Sequence, residues 1–268
     1  MIIDIPVNIY SIPHLINYIL WKSSRKVHKY PLNPPYSPII AYLEITRDCN
    51  LNCPMCQRLL LPPEERKGSM PFEDFKKLAN NLGNVLGVGL GGRGEPLLHP
   101  HIIEILQILS NKGYVLSFDT NGILLNDYAQ ELIKIKTLYH IGISFDFLPS
   151  TPIEGHKYLE ALEGMQKIVR LKKRLGKRYP LTRVTLTTMK VNIHQIPEIV
   201  RLVAEYGGEW LDIHRVIPYT YELLKGPFGP PPISDINKMF NKAKKIAKQY
   251  HIKITYSRKL HKVRRKIK

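Results

Sequence analysis

Along this chain, short runs of apolar and β-branched residues alternate with longer stretches whose apolar positions recur every three or four residues. "IIAYLEIT" reads as a buried strand and "MPFEDFKKLANNLG" as a helix stopped at Gly83. "VLGVGLGG" is a second strand, and "HPHIIEILQILSNKG" a second helix closed by Gly113. "YVLSFDTNG" with "LNDYAQELIKIK" makes a third pair, and "YHIGISFD" with a basic helix from about His156 to Lys177 a fourth. "LTRVTLTTMK" with "QIPEIVRLVAEYG" makes the fifth, and "EWLDIHRVIPY" is a sixth strand.

Strand-then-helix units with short connections predict an α/β fold, a parallel sheet with helices outside it. Right-handed crossovers would curl the sheet into a partial (β/α)6 barrel of the TIM-like kind. Around this core, 38–220, the pattern sets an N-terminal amphipathic helix and Pro-rich linker, 1–37, and a C-terminal helical and basic extension, 221–268. The N-terminal helix lies over "HLINYILWKSSRK" and is expected to pack on the barrel as a lid. "YPLNPPYSP" forces an extended linker after it. "KGPFGPPP" reads as a hinge, followed by a helix from about Ser234 to Tyr250, a short strand "IKITY" and a tail.

The unusual residues fall where each strand ends, the end at which barrels of this kind build their sites. All three cysteines sit within eight positions, Cys49, Cys53 and Cys56, in "CNLNCPMC" after strand one. "GGRGEP" ends strand two, "DTNG" strand three, "SFD" strand four and "HRVIPYTY" strand six. Three thiols cannot pair off among themselves. In a chain with no apolar run long enough to span a bilayer and no secretory pattern, a cytoplasmic location and metal binding are expected. One metal option is zinc, with a histidine such as His99 or His101 as fourth ligand. The other is a four-iron cluster with one iron left open.

"CNLNCPMC" after a strand, with "GGRGEPLLHP" ending the next, resembles the radical S-adenosylmethionine superfamily over about residues 38–220. The resemblance implies that Cys49, Cys53 and Cys56 ligate a [4Fe–4S] cluster. It also implies that the open iron chelates the amino and carboxylate groups of S-adenosylmethionine. Reductive cleavage would then yield a 5′-deoxyadenosyl radical that takes hydrogen from a substrate or adenosylates it, with an external one-electron reductant. Met55 falls where the family places a residue against the adenine. Gly91, Gly92, Gly94 and Glu95 match its glycine-rich cofactor loop, with Glu95 accepting from the ammonium group. Asn121 belongs to the strand-three end, Ser144 and Asp146 to the ribose or carboxylate contacts. Thr187 and Arg215 are carried over by position alone. His214, Tyr219 and Tyr221 point toward a substrate mouth, and Asp119 orders the strand-three turn. Lys190 and Arg183 are expected in solvent.

Charge and cysteine count narrow the substrate. With 40 Lys and Arg against 22 Asp and Glu, the formal charge is +18, and no acidic residue follows Asp235. An anionic substrate is therefore expected: RNA, a phosphorylated metabolite or a lipid headgroup. A peptide or protein substrate is the second reading, with membrane-surface contact not favoured. A zinc-bearing nucleic-acid-binding module is the non-enzyme alternative. Three cysteines leave none for an auxiliary cluster, for a dual-cysteine methyl transfer or for a thiyl hydrogen donor outside the loop. The leader of about 38 residues is too short for a cobalamin domain.

Overall fold

The computed structural model describes residues 12–27, 34–150 and 157–256. The basic tail "SRKLHKVRRKIK", part of the Pro-rich linker and the expected helix start at His156 lie outside these residues. Seven strands form one sheet: β1 (Ile40–Leu43), β2 (Gly87–Leu90), β3 (Val115–Thr120), β4 (Leu138–Ser144), β5 (Leu181–Thr188), β6 (Trp210–Arg215) and β7 (Lys253–Tyr256). They pair in chain order, every pair parallel, which leaves β1 and β7 as the two edges. The core is thus the expected parallel α/β fold with one strand more than the six-unit count. "IKITY" joins the sheet instead of standing apart from it.

The eight α-helices of the described residues are α1 (Ile12–Val27), α2 (Phe72–Asn81), α3 (Ile102–Asn111), α4 (Leu125–Leu132), α5 (Tyr158–Arg174), α6 (Ile196–Glu205), α7 (Tyr221–Lys225) and α8 (Ile233–Gln249). Apart from α1 and the short α7, each buries one apolar stripe, as Ile102, Ile105, Leu106 and Leu109 of α3 show. Neighbouring helices also pack on each other, α4 on α5 and α6 on α8. The seventeen residues between β6 and α8 hold α7, which starts with Thr220 capping Leu223 N at 3.1 Å. The stretch read as a hinge is tied down. Lys190 N and Val191 N donate to the carbonyls of Gly229 and Pro227 at 2.9 and 3.0 Å.

Strand alternation divides the residues into two unlike faces. Outward positions such as Leu116, Phe118, Ile141, Ile143, Val184, Leu186, Leu211 and Ile213 are buried under the helices. Inward positions from the middle of the strands to their C-terminal ends are polar or glycine: Ser117 and Asp119, His140 and Gly142, Arg183 and Thr185, Asp212 and His214. Arg183, expected in solvent, is only 8% exposed. Its guanidinium lies 2.6 Å from Asp119 Oδ1 and 3.7 Å from Asp212 Oδ2. Glycine at position 142 leaves room for this pair, because a Cβ there would push the Asp119 carboxylate away from Arg183. The period-two rule places residue 183 on the lumen face, so its charge is buried with partners instead of solvated.

Helix α1 does not cover the mouth. Asn17 holds it to the loop entering β2, donating to Asn84 O at 2.8 Å and to Ser37 O at 3.2 Å while accepting from Ser37 N at 2.7 Å. His14 packs its ring on Tyr114, with centroids 5.3 Å apart. These contacts put α1 at the N-terminal end of the strands, with polar His14 and Asn17 inward and Ile12, Ile16 and Ile19 exposed. The polar anchor and not the apolar stripe fixes its seat. No helix among the described residues is long and apolar enough to cross a membrane.

Asn17→Ala removes three half-buried hydrogen bonds to Ser37 and Asn84 and should cost roughly 1–3 kcal/mol. Its signature is faster tryptic cleavage at Lys22 under native conditions, with cleavage elsewhere unchanged. His140 is neutral in the fold. Burial, helped by the charge of Arg183, lowers it from 6.5 to about 4. Between those values the unfolded chain binds a proton that the folded chain refuses, so stability falls as pH drops from 6.5 to 4. His140→Leu should flatten that fall in a series of thermal melts.

Candidate active site

The chain leaves β1 through Glu44 and Asp48 into the cysteine loop. Asn50, Asn52 and Pro54 keep the loop irregular, with one tight turn closed by Cys56 N on Cys53 O at 2.9 Å. A buried guanidinium braces it: Arg58 Nε donates to Arg47 O and Arg66 O at 3.0 and 3.1 Å, and Nη1 to Asn52 Oδ1 at 3.1 Å. At its start, Asp48 accepts from Ser69 Oγ and Gly68 N, both at 3.2 Å. Arg58 escaped the sequence reading because an arginine in a loop carries no sign of burial.

The second loop, after β2, lies on the first. Glu95 N donates to Asp48 O at 2.8 Å, and Arg93 N to Glu44 Oε1 at 2.7 Å. Gly92 has φ +148°, and a Cβ there would lie 2.6 Å from Glu44 Oε1, so no other residue fits without displacing the strand end. Gly94 lies still closer to the backbone of Thr46. The glycines therefore serve loop-on-loop packing as well as openness to a ligand.

Glu95 is the junction. It is 3% exposed, and its Oε1 accepts from Thr120 Oγ1 at 2.7 Å and Leu97 N at 3.1 Å. Its Oε2 accepts from Asn121 N at 2.7 Å, which ties the β2 and β3 loops together. Burial raises its proton affinity against these bonds. Oε2 keeps a lone pair for one more donor on the cavity side. Asn121 in turn reaches back to the cysteine loop, Nδ2 to Asn50 Oδ1 at 2.7 Å. Across the rim, Asp146 is buried and accepts from Thr187 N at 2.6 Å. Burial pushes it up to about 6 despite that bond.

These groups enclose a cavity of about 430 Å³ at the strand C-termini. Cys49, Cys53, Cys56 and Met55 line one side, Gly91, Gly92, Gly94 and Glu95 the floor beside them, and Asn121, Ser144, Asp146, Thr187 and Arg215 the remaining wall. All thirteen residues expected to hold the cluster or the cofactor thus share one space. His214 and Tyr219 join them, whereas Tyr221 sits exposed on α7 outside the lining. Gln57, whose Nε2 hydrogen-bonds the Tyr219 hydroxyl, and Lys157 and Tyr158 at the start of α5 were not foreseen. His214 Nε2 lies 3.2 Å from Asp212 Oδ2. Burial would raise Asp212, but hydrogen bonds from His214 and Thr255 and the charge of Arg183 hold it below its ordinary value. Period-two spacing from Trp210 through Asp212 to His214 marks this inward row in the sequence.

The thiols need a cation that the protein does not supply in full. Burial and the nearby Asp146 push Cys53 up to about 12, and burial raises Cys49. Thiolates there require positive charge at the sulfurs, as bound iron provides. Neither histidine expected as the fourth ligand of zinc is placed to serve, and no group of three or more His, Cys, Asp and Glu among the described residues could hold a metal ion. His99 is buried with Nε2 3.0 Å from Met70 O and Nδ1 accepting from His101 N at 3.1 Å, while His101 stacks on Phe72. Three cysteines on an irregular loop, beside a cavity with a buried carboxylate and bare backbone, fit a multi-iron cluster that shares its open iron with a ligand.

Sequence comparison agrees with this chemistry. The chain belongs to the Radical SAM superfamily, whose profile matches residues 43–203. It is an enzyme of that family, with a [4Fe–4S] cluster and S-adenosylmethionine as its cofactors. It is 29% identical to the tungsten-containing aldehyde ferredoxin oxidoreductase cofactor-modifying protein of Pyrococcus furiosus, over 80% of this chain and 62% of that protein. It is 30% identical to the antilisterial bacteriocin subtilosin biosynthesis protein AlbA of Bacillus subtilis, over 65% of this chain and 40% of that protein. The fold resembles Streptococcus suis SuiB bound to S-adenosylmethionine, with TM-score 0.65 and 18% identity over 88% of this chain and 52% of SuiB. The chain therefore spans between two fifths and about three fifths of the length of these relatives.

If Glu95 is the clasp between the two loops, Glu95→Gln turns one acceptor into a donor facing a donor. It should cost roughly 1–3 kcal/mol. Hydrogen exchange at the Asn121 amide should rise, with exchange in the β5–β6 ladder unchanged.

Proposed function

We propose that this chain cleaves S-adenosylmethionine reductively and abstracts hydrogen from an anionic substrate entering at the strand C-termini. The observation that carries the reading is the placement of the three thiols and the Glu95 clasp on one side of a single cavity, facing His214 and Arg215. When bound, the cluster and S-adenosylmethionine together supply a carbon-centred radical. The residues do the rest. Cys49, Cys53 and Cys56 hold the cluster by one thiolate each. Glu95 would accept from the cofactor's ammonium group through its remaining lone pair, and the bare backbone at Gly91 and Gly92 would leave room for the cofactor beside it. Met55 would cover the adenine, while Asn121, Ser144, Asp146 and Thr187 would hold the ribose and carboxylate. Arg215 would meet a carboxylate, and His214, positioned by Asp212, would give or take a proton on the substrate.

Three cations on the rim, Arg93, Lys157 and Arg215, favour a substrate with phosphate or carboxylate groups. Nucleic acid, phosphorylated metabolites and lipid headgroups share that chemistry. The second reading, peptide or protein maturation, draws on what the relatives are named for: subtilosin biosynthesis, and PqqA peptide cyclase, 26% identical over 75% of this chain. Either reading needs an external one-electron donor and a reducing compartment such as the cytoplasm.

Anaerobic reconstitution with iron and sulfide should give a brown protein with about four irons per chain. Reduced with dithionite, it should convert S-adenosylmethionine to 5′-deoxyadenosine, and Cys53→Ala should abolish both colour and product. A colourless protein with one zinc would overturn the proposal. The Glu95→Gln variant should keep its iron yet bind S-adenosylmethionine at least about tenfold more weakly in equilibrium dialysis, the loss of one hydrogen bond to a charged group. Deleting the residues after Tyr256 tests the substrate class. Salt-sensitive retention of RNA or anionic vesicles should fall, whereas loss of a peptide interaction alone would favour maturation.

A further inference from the structure

Beneath the layer formed by Asp119, Arg183 and Asp212 the lumen opens again. A chamber of about 540 Å³ lies at the N-terminal ends of the strands, away from the cysteines. A narrower space of about 250 Å³ connects the two levels, sharing Tyr42 and His140 with the chamber and Gly91 and Asp119 with the cofactor cavity.

Three features of the chamber agree on one kind of ligand. The first is a flat aromatic surface. Tyr42 points inward from β1 yet is 74% exposed. Its ring rests on bare backbone, since a Cβ at Gly89 would lie 2.7 Å from the ring carbons. One ring face is pressed against β2 and the rest is left open, while Trp210 and Tyr139 add aromatic wall. The second is charge. Arg178 and Lys253 line the chamber and no Asp or Glu does, with Lys253 Nζ 4.1 Å from the Trp210 ring centroid. The third is unused hydrogen-bonding capacity at the passage. His140 Nδ1 and Arg183 Nε are buried without a hydrogen-bond partner, and Arg183 is more than nine-tenths buried. An exposed ring on a rigid support takes a stacked π-system, and a cationic wall without carboxylates takes an anion.

We propose that this basal chamber is a second ligand site, distinct from the cofactor cavity, for a flat heteroaromatic anion: a fused ring bearing a carboxylate or a phosphate. The ring stacks on Tyr42 and the anion meets Lys253 and Arg178. The cluster chemistry is not needed for this binding, and the site can be read with the cofactor cavity filled.

The test uses the full reconstituted chain with saturating S-adenosylmethionine and two probes, quinoline-2-carboxylate and flavin mononucleotide. Their uncharged counterparts, quinoline and riboflavin, serve as controls. Calorimetry should show one probe binding once per chain in the micromolar range, and which probe binds separates carboxylate from phosphate. Its uncharged counterpart should bind at least tenfold more weakly. Tyr42→Ala and Lys253→Gln should each weaken binding at least tenfold, with iron content, melting temperature and 5′-deoxyadenosine formation unchanged. The proposal is overturned if neither anion binds below millimolar concentration or if Tyr42→Ala binds as tightly as the parent. It is also overturned if S-adenosylmethionine displaces the probe.

Discussion

A single buried carboxylate couples three separate chain segments. Glu95 accepts from the β3 loop with both its oxygens, and its own amide donates to the start of the cysteine loop. Burying a carboxylate is costly unless its lone pairs are used, so the loops are held at the one spacing that uses them. The thiols, the glycines and the strand-three turn are therefore set relative to one another before any ligand arrives. Such preorganisation lets a cofactor bind without first ordering the loops that hold it.

The sheet beneath follows a different rule. Its outer face is an ordinary apolar layer under helices, but its inner face is polar from the middle of the strands to their C-terminal ends, and the charges in that part are paired across strands. Arg183 on β5 reaches Asp119 on β3 and Asp212 on β6, and Asp212 reaches His214 and, through Thr255, β7. One connected set of charges thus runs from the middle of the lumen to the mouth. Replacing buried pairs of this kind by an apolar layer of equal volume is often neutral for stability, whereas removing one partner alone is costly, so the three charges stand or fall together.

How much of this could be read from the sequence depends on how local each signal is. The cysteine spacing and "GGRGEP" are contiguous and chemically unusual, so they stood out, and the strands that carry them follow from β-branched runs between glycine stops. The polar lumen was legible but not read: Trp210, Asp212 and His214 alternate in plain view, as do Arg183, Thr185 and Thr187. Taking Arg183 for a solvated residue applied a composition rule where the period-two rule should have governed. Arg58 could not have been found, for its burial comes from carbonyls of Arg47 and Arg66 that only folding brings near it. The seat of α1 was missed for the same reason. Apolar spacing suggested a face to bury, whereas Asn17, a single polar residue, decides the contact.

The sheet is open, with β1 and β7 each lacking a neighbour on one side among the described residues. A closed barrel has its radius fixed by strand number and shear. An open sheet has no such condition to satisfy, so contacts within it and the helices outside share the task of holding its curve. Arg183 is one such contact, a strut that ties β3, β5 and β6 together along the inner face of four successive strands. It stands one layer below the cofactor cavity, between the two ends of the lumen. Nature could adapt this scaffold by changing the strut, while leaving the metal-binding loop at the rim untouched.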